Sequence, residues 1–402
     1  MRSDSMNKTN KLFFIRAVLV FSLLVTSVLG LADYRIEDTF SRREEAPLPG
    51  SAFFSLYPEQ SCTAVSADSY RNTQYTFRFL NIIPLKSVSV RTVAPVTLCP
   101  GGMPFGVKMF TEGLIVVGFS DIDAKEGSPH PASDAGLRLQ DIILEIDGEP
   151  VSTPEALAQQ VGPGAKEILE FKIRRGEEIL RIPVTPSLSV SENRYKLGIL
   201  VRDNTAGIGT VTYIDPASGS FAGLGHGICD SQTGALLPLS RGSVAEVTIS
   251  GVRKGERGVP GELKGFFSSG KTGALLGNSN AGVFGILNRL PETAAAENAL
   301  PIALKEEIQD GKAQILCTLD DSGVHSYEVT LRKIRNSPDL KNMEITVTDP
   351  ALLEITGGIV QGMSGSPIIQ DGKLIGAITH VLVNDPARGY GIFIENMLQA
   401  AG

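Results

Sequence analysis

The chain has 402 residues, long enough for two or three domains that each bury a core, and its 37 basic against 44 acidic side chains leave a net charge of -7. The basic residues form no long stripe, which excludes a surface that tracks nucleic-acid phosphates. There is no HExxH pair, and no two cysteines lie two to four residues apart, so the usual zinc arrangements are excluded and no metal or organic cofactor is expected.

In chain order, Arg2, Lys8, Lys11 and Arg16 precede an unbroken run of small and apolar residues from Ala17 to Ala32. A basic start followed by such a run predicts an export signal or a signal anchor over residues 1–32. Residues 12–32 approach bilayer-spanning length, which makes the membrane a partner of this segment. Export places the remainder outside the cytoplasm, where Cys62, Cys99, Cys229 and Cys317 have three ways to pair or remain thiols. Residues 33–98 mix polar stretches with short apolar ones and read as a stalk followed by a small strand-rich segment.

Residues 99–188 change texture. PFGVKMF, GLIVVGF, DIILEID and EILEFKIRR are β-rich runs punctuated by Gly, Pro and Asp, and PEALAQQV is one short amphipathic helix. The centre, SDAGLRLQDIILEIDGEPVSTPEALAQQV, resembles the heart of a PDZ domain, although Gln140 stands where Gly is usual. On that resemblance GGMPFGVKM looks like the loop whose amides cradle a peptide carboxylate, with Gly102, Met103, Pro104, Phe105 and Gly106 as its residues. The partner it implies is a peptide or protein segment bound by strand addition, in which main-chain hydrogen bonds supply affinity and pockets supply preference.

Residues 196–402 are rich in glycine and in short strands, the pattern of a β-barrel or a pair of them. Within them GMSGSPII runs through a DG hairpin signal and back as KLIGAITH. A serine hydroxyl attacks a carbonyl only when a base takes its proton and donors stabilise the oxyanion. Glycines around Ser364 let the amides of Gly362 and Ser364 converge on one point. The segment resembles the nucleophile region of chymotrypsin-like serine peptidases, which implies a histidine base far upstream; His226 in FAGLGHGICD has that placement. The strand returning after the nucleophile borders the substrate pocket in such enzymes, so His380 becomes a specificity-pocket residue for a Gln or acidic side chain. His130 and His325 lie in polar turns and carry no role.

The wider match is to a family. LGHGICD, VTDPALLEITGGIVQGMSGSPIIQDGK and THVLVNDPARGYGIFIENML, with the exported N-terminus and the PDZ-like unit, resemble the SpoIVB peptidases of endospore-forming bacteria. The resemblance implies a mainly β protein: a signal or anchor helix, a PDZ-like domain and a chymotrypsin-like double β-barrel. It implies a serine endopeptidase, resident between forespore and mother-cell membranes, that cleaves a membrane-bound regulatory protein of a signalling complex. That cut frees an intramembrane protease to process a sigma-factor precursor, and members also cut themselves near the N-terminus. Asp349 matches the family's carboxylate and becomes the residue expected to orient His226. Its closeness to the serine departs from the chymotrypsin-like order, which Asp320 or Asp321 fits better, and Asp230 closely follows the base. From another class, a non-catalytic adaptor with a dead peptidase scaffold is the competing reading.

Overall fold

The computed structural model describes residues 39–43, 54–58, 70–79, 82–125, 129–162, 167–230, 234–334 and 340–402, besides positions 16, 20, 26 and 27. Apart from those four positions the predicted signal segment lies outside the described residues, as does Cys62. Among the described residues no helix is long and apolar enough to cross a membrane.

Two units form. The first holds a four-stranded sheet of β1 (Thr39–Arg43), β2 (Phe54–Pro58), β3 (Tyr70–Phe79) and β4 (Ile83–Val93) in the order β1-β4-β3-β2, with β1 parallel to β4. Val88 and Val90 alternate inward on β4 and are buried, as the two-residue period of a strand dictates.

The second unit begins with β5 (Thr97–Pro100) and β6 (Pro104–Phe119). A module follows: helix α1 (Pro131–Asp134), β7 (Ile142–Ile146), β8 (Glu149–Pro150), helix α2 (Pro154–Val161), β9 (Leu169–Arg175), β10 (Glu178–Val184) and the hairpin β11 (Ser187–Ser189) with β12 (Arg194–Lys196). Leu114, Ile143, Phe171 and Ile173 at its centre are sealed from solvent, each side chain stabilising the fold by about 1.5–3 kcal/mol. The β7–β8 turn places Asp147 (φ 51°) and Gly148 (φ 86°) in the left-handed region that a tight hairpin requires. Gln140, the residue standing where Gly is usual, has φ 73°, which is why Gly suits that position.

The chain then returns through β13 (Ile199–Ile214), β14 (Ser220–Gly223), β15 (Leu239–Arg253), β16 (Glu262–Ser279) and β17 (Gly282–Leu287). Because β6 pairs with both β13 and β15, the path β6-β15-β16-β17-β14-β13 closes on itself as a six-stranded barrel. After β18 (Leu300–Pro301) a second closed barrel is built from β19 (Gly311–Thr318), β20 (Val324–Lys333), β21 (Met343–Val347), β22 (Pro367–Gln370), β23 (Lys373–Leu382) and β24 (Asp385–Phe393), in the order β19-β20-β21-β24-β23-β22. Helix α3 (Pro350–Thr356) precedes the loop carrying Ser364, and α4 (Ile394–Ala401) follows β24. Two six-stranded barrels are the chymotrypsin-like arrangement expected from the sequence. Cys99, Cys229 and Cys317 are free thiols.

One expectation is corrected here. Residues 102–106 are not a peptide-carboxylate loop of the module; they lead into and begin the first strand of the first barrel. Phe105 is buried and packs edge-to-face on Phe221 of β14, with ring centroids 5.7 Å apart. The Gly102 amide donates to Val211 O, and Val211 returns a bond to Met103 O. Pro104 and Gly106 sit in register with Thr210 and Ile208. The module is thus inserted between the first two strands of the barrel, and the long β6–β13 ribbon runs through both. The expected boundary at residue 99 fails because a 16-residue strand that changes core half-way looks continuous in sequence.

Candidate active site

The loop carrying Ser364 is fixed by residues from both barrels. Helix α3 stops at Gly357 (φ 74°), a left-handed C-cap, and the chain passes through Gln361, which pairs with the start of β16. From β13, Thr210 Oγ1 donates to Gly362 O at 2.7 Å, Thr212 Oγ1 to Gly365 O at 2.8 Å, and the Thr210 amide to Ser364 O at 2.9 Å. Two threonines two residues apart in a strand face one way, so β13 grips the turn with both hydroxyls. Ser364 is the one residue between Gly362 and Ile368 that is not buried.

The amides of this turn alternate in their use. Met363 N–H donates to Val360 O and Gly365 N–H to Ile378 O, whereas the Gly362 and Ser364 N–H groups meet no acceptor among the described residues. Two unengaged donors flanking a half-exposed hydroxyl are what a developing oxyanion requires. Gly362 and Gly365 hold φ values of 98° and 96°, beyond the ordinary reach of other residues.

His226 follows β14 through Leu224 and Gly225, both at φ 66°. A non-glycine in that region is strained, and such strain concentrates at functional sites. A Cβ on Gly225 would lie 3.0 Å from Thr379 Cγ2 and 3.2 Å from Ile378 O, so its absence lets the loop sit directly on β23. His226 Nδ1 lies 2.9 Å from Gly227 O, and its ring meets His380 with centroids 4.7 Å apart at 36°. Ser364 Oγ donates to Thr379 O at 2.7 Å rather than to the imidazole. His226, Ser364 and His380 are therefore gathered at one strand, β23, which carries His380 itself and holds the other two against Thr379.

The family model for SpoIVB peptidase S55 matches residues 193–398, just over half of the chain. The chain belongs to that family. It is a serine peptidase of the sporulation type, a hydrolase of peptide bonds. No curated protein matches it. The matched span begins in the β11–β12 hairpin at the end of the module, so it leaves out β6, the first strand of the first barrel.

Asp349 departs from its expected role in the peptidase. It is the N-cap of α3: Oδ1 accepts from the Ala351 and Leu352 amides at 2.9 and 3.1 Å, and Oδ2 from the Glu328 amide at 3.2 Å. Its charge acts on Cys317, which burial and Asp349 together push up to about 12. No carboxylate among the described residues hydrogen-bonds the imidazole. Asp320 accepts from Ser322, whose hydroxyl also meets His325 Nε2 at 2.7 Å in a surface turn; Asp321 lies in the same turn. Asp230 closes the turn to Ala235 through its backbone. A cap predicts a graded result: Asp349→Ala lowers the unfolding free energy by about 1 kcal/mol, while Asp349→Asn, which caps nearly as well, stays within ~0.5 kcal/mol, read by urea melts.

One residue of this region had no forewarning. Asn278 accepts from the Ile228 amide at 2.8 Å and donates to Ile228 O and Leu237 O, bracing the loop behind His226. Nothing in GNSNAG distinguishes it from a turn asparagine. Thr210 and Thr212 did carry a signal, since TVT places two hydroxyls on one face of an otherwise apolar strand.

Burial lowers the pKa of His226, against a smaller upward pull from Gly227 O, and burial, His226 and Lys341 hold His380 down to about 4. Depressed folded values mean the unfolded chain binds more protons in the window from the ordinary 6.5 down to about 4. Stability is therefore complete above that window and is lost as pH falls through it. Urea melts from pH 8 to pH 4 are expected to show this loss, reduced in a His380→Phe chain because one of the two titrating groups is gone.

Proposed function

We propose that this peptidase is exported and cuts a membrane-bound regulatory protein, and itself near the N-terminus, thereby releasing intramembrane processing of a sigma-factor precursor in the space between forespore and mother cell. Ser364 is the nucleophile. Its Oγ leaves Thr379 O, gives its proton to His226 Nε2 and bonds the substrate carbonyl carbon. The amides of Gly362 and Ser364 receive the oxyanion. His226 then passes the proton to the departing amine as the peptide bond breaks, and water repeats the cycle on the acyl-enzyme. A proton held on Nδ1 against Gly227 O leaves Nε2 unprotonated, the tautomer a base needs. The observation that carries this reading is the pair of unengaged amides beside a half-exposed serine, in a turn clamped by the other barrel.

The PDZ-like reading of the module also belongs here, with a different peptide site. Residues Ile199–Arg202 of β13 pair with β6 on one side and with no strand on the other among the described residues, while α2 packs on β12 and β13. An added peptide strand would lie along that edge, with Ile199 and Val201 turned toward the module core.

The test is self-trimming. The full chain in membrane vesicles, native and Ser364→Ala, is followed by intact mass. Trimming that disappears in the variant supports the proposal. An intact N-terminus in both, with a peptide still captured by the module, supports the adaptor reading, which draws on the missing bond between Ser364 and His226.

A further inference from the structure

We infer that His380 is a positioning residue for the base: its ring stacks on His226 and fixes the imidazole plane that a carboxylate fixes in other serine peptidases. The inference rests on the assignment of Ser364 and His226 above. It reassigns His380 from the specificity pocket.

A single hydrogen bond leaves the plane of an imidazole undetermined. Nδ1 against Gly227 O anchors one atom of the His226 ring, and the ring remains able to swing about that contact. A second contact on the ring face removes the swing. His380 supplies it, at 4.7 Å between centroids and 36° between planes, within the range of favourable ring pairing. Both rings stand on fixed backbone. The His226 loop lies against β23 because Gly225 has no Cβ to strike Thr379, and His380 is the next residue along that strand after Thr379, whose carbonyl holds Ser364 Oγ. One strand therefore sets the serine rotamer through a carbonyl and the base through the adjacent side chain. A ring engaged on the base is not directed at a substrate side chain, which is the reason for moving it out of the pocket.

The other groups around the pair do not supply an alternative. Lys341 acts on His380 from the loop before β21, with its ammonium 5.4 Å over the Tyr390 ring, and cannot accept the imidazole proton. Cys229 turns its thiol toward the same Gly227 carbonyl at 3.7 Å. Asp349 is engaged by backbone amides. His380 stays neutral around neutral pH, so when His226 accepts the serine proton no second cation faces it.

The experiment uses the full chain with histidine-selective ¹⁵N labelling, the Ser364→Ala background preventing self-cleavage, and compares His380 with His380→Ala and His380→Phe. Opening the His226 face to water in His380→Ala removes part of its desolvation, so its titration moves upward and its ring signals shift; Phe preserves the face and holds both near the parent. In the active background, His380→Ala is expected to lower kcat about 10²-fold, the size of effect a misplaced catalytic group produces, with KM within about twofold and the acid limb of kcat/KM displaced to higher pH. Phe is expected to recover most of that loss. The inference is overturned if His226 titrates identically in all three proteins, if Ala and Phe are equally impaired, or if Ala changes KM and the preferred residue before the cut while kcat stands. Should Ala fail to fold by thermal melt, the Phe comparison and the parent titration decide alone. Coupled titrations in a parent chain that cuts no peptide would instead sink the catalytic assignment and leave the ring pair standing.

Discussion

Ser364→Ala is expected to lower kcat/KM for a cleaved peptide by at least about 10⁴-fold, with the melting temperature changed little. The rate loss follows from the chemistry: without Oγ there is no acyl-enzyme, and what remains is oxyanion stabilisation and binding acting on water. The unchanged stability follows from the surroundings. Oγ makes one hydrogen bond, to Thr379 O, and the turn is held by Thr210, Thr212 and the Gly365 amide, none of which uses the serine side chain. Losing one such bond costs about 1 kcal/mol at most. Steady-state rates on a peptide spanning the chain's own trimming site, with a thermal melt beside them, check both halves. A variant that cuts at more than a hundredth of the parent rate would remove Ser364 from the mechanism.

The second large effect is on folding. Gly365→Ala is expected to destabilise the peptidase by about 3 kcal/mol or more and to abolish activity with it. An added Cβ would stand 1.9 Å from Thr210 O and 2.5 Å from the Leu224 amide nitrogen, both backbone atoms of the first barrel that cannot step aside, and φ is 96°. Against a total stability of ~5–15 kcal/mol this is a large share. Gly372→Ala separates the two causes: φ there is 73° but nothing lies within 4 Å, so only the backbone preference is lost, about 1 kcal/mol. Urea melts of the two variants should differ by the steric part. Equal losses would mean that the barrels are not packed as closely at Thr210 as described.

Much of the candidate site was legible because it is local. GMSGSP states its own turn: two glycines at positive φ, a serine between them and a proline that ends it, and the amides that free themselves are neighbours in sequence. The EIDGEP hairpin is legible for the same reason, as its left-handed pair Asp147–Gly148 is written in adjacent residues. His226 was singled out by its placement relative to Ser364, and Gly225 beside it permits the loop's approach to β23.

What the sequence determined by itself, then, were the short-range items: the strand-rich texture, the tight turn at Ser364 and the module's hairpin and helix, each encoded by residues within a few positions of one another. Tertiary structure alone decided the rest. It decided that residues 102–106 enter the barrel rather than cradle a peptide, because Phe105 finds its partner Phe221 across an inserted module. It decided that Asp349 caps a helix, because the amides of Ala351, Leu352 and Glu328 reach its carboxylate. It set His380 on His226, because the His226 loop closes on β23 over a missing Cβ at Gly225. Each of these outcomes depends on atoms distant in sequence meeting within a few ångströms, and strand periodicity fixes which face a residue takes without fixing what waits on that face.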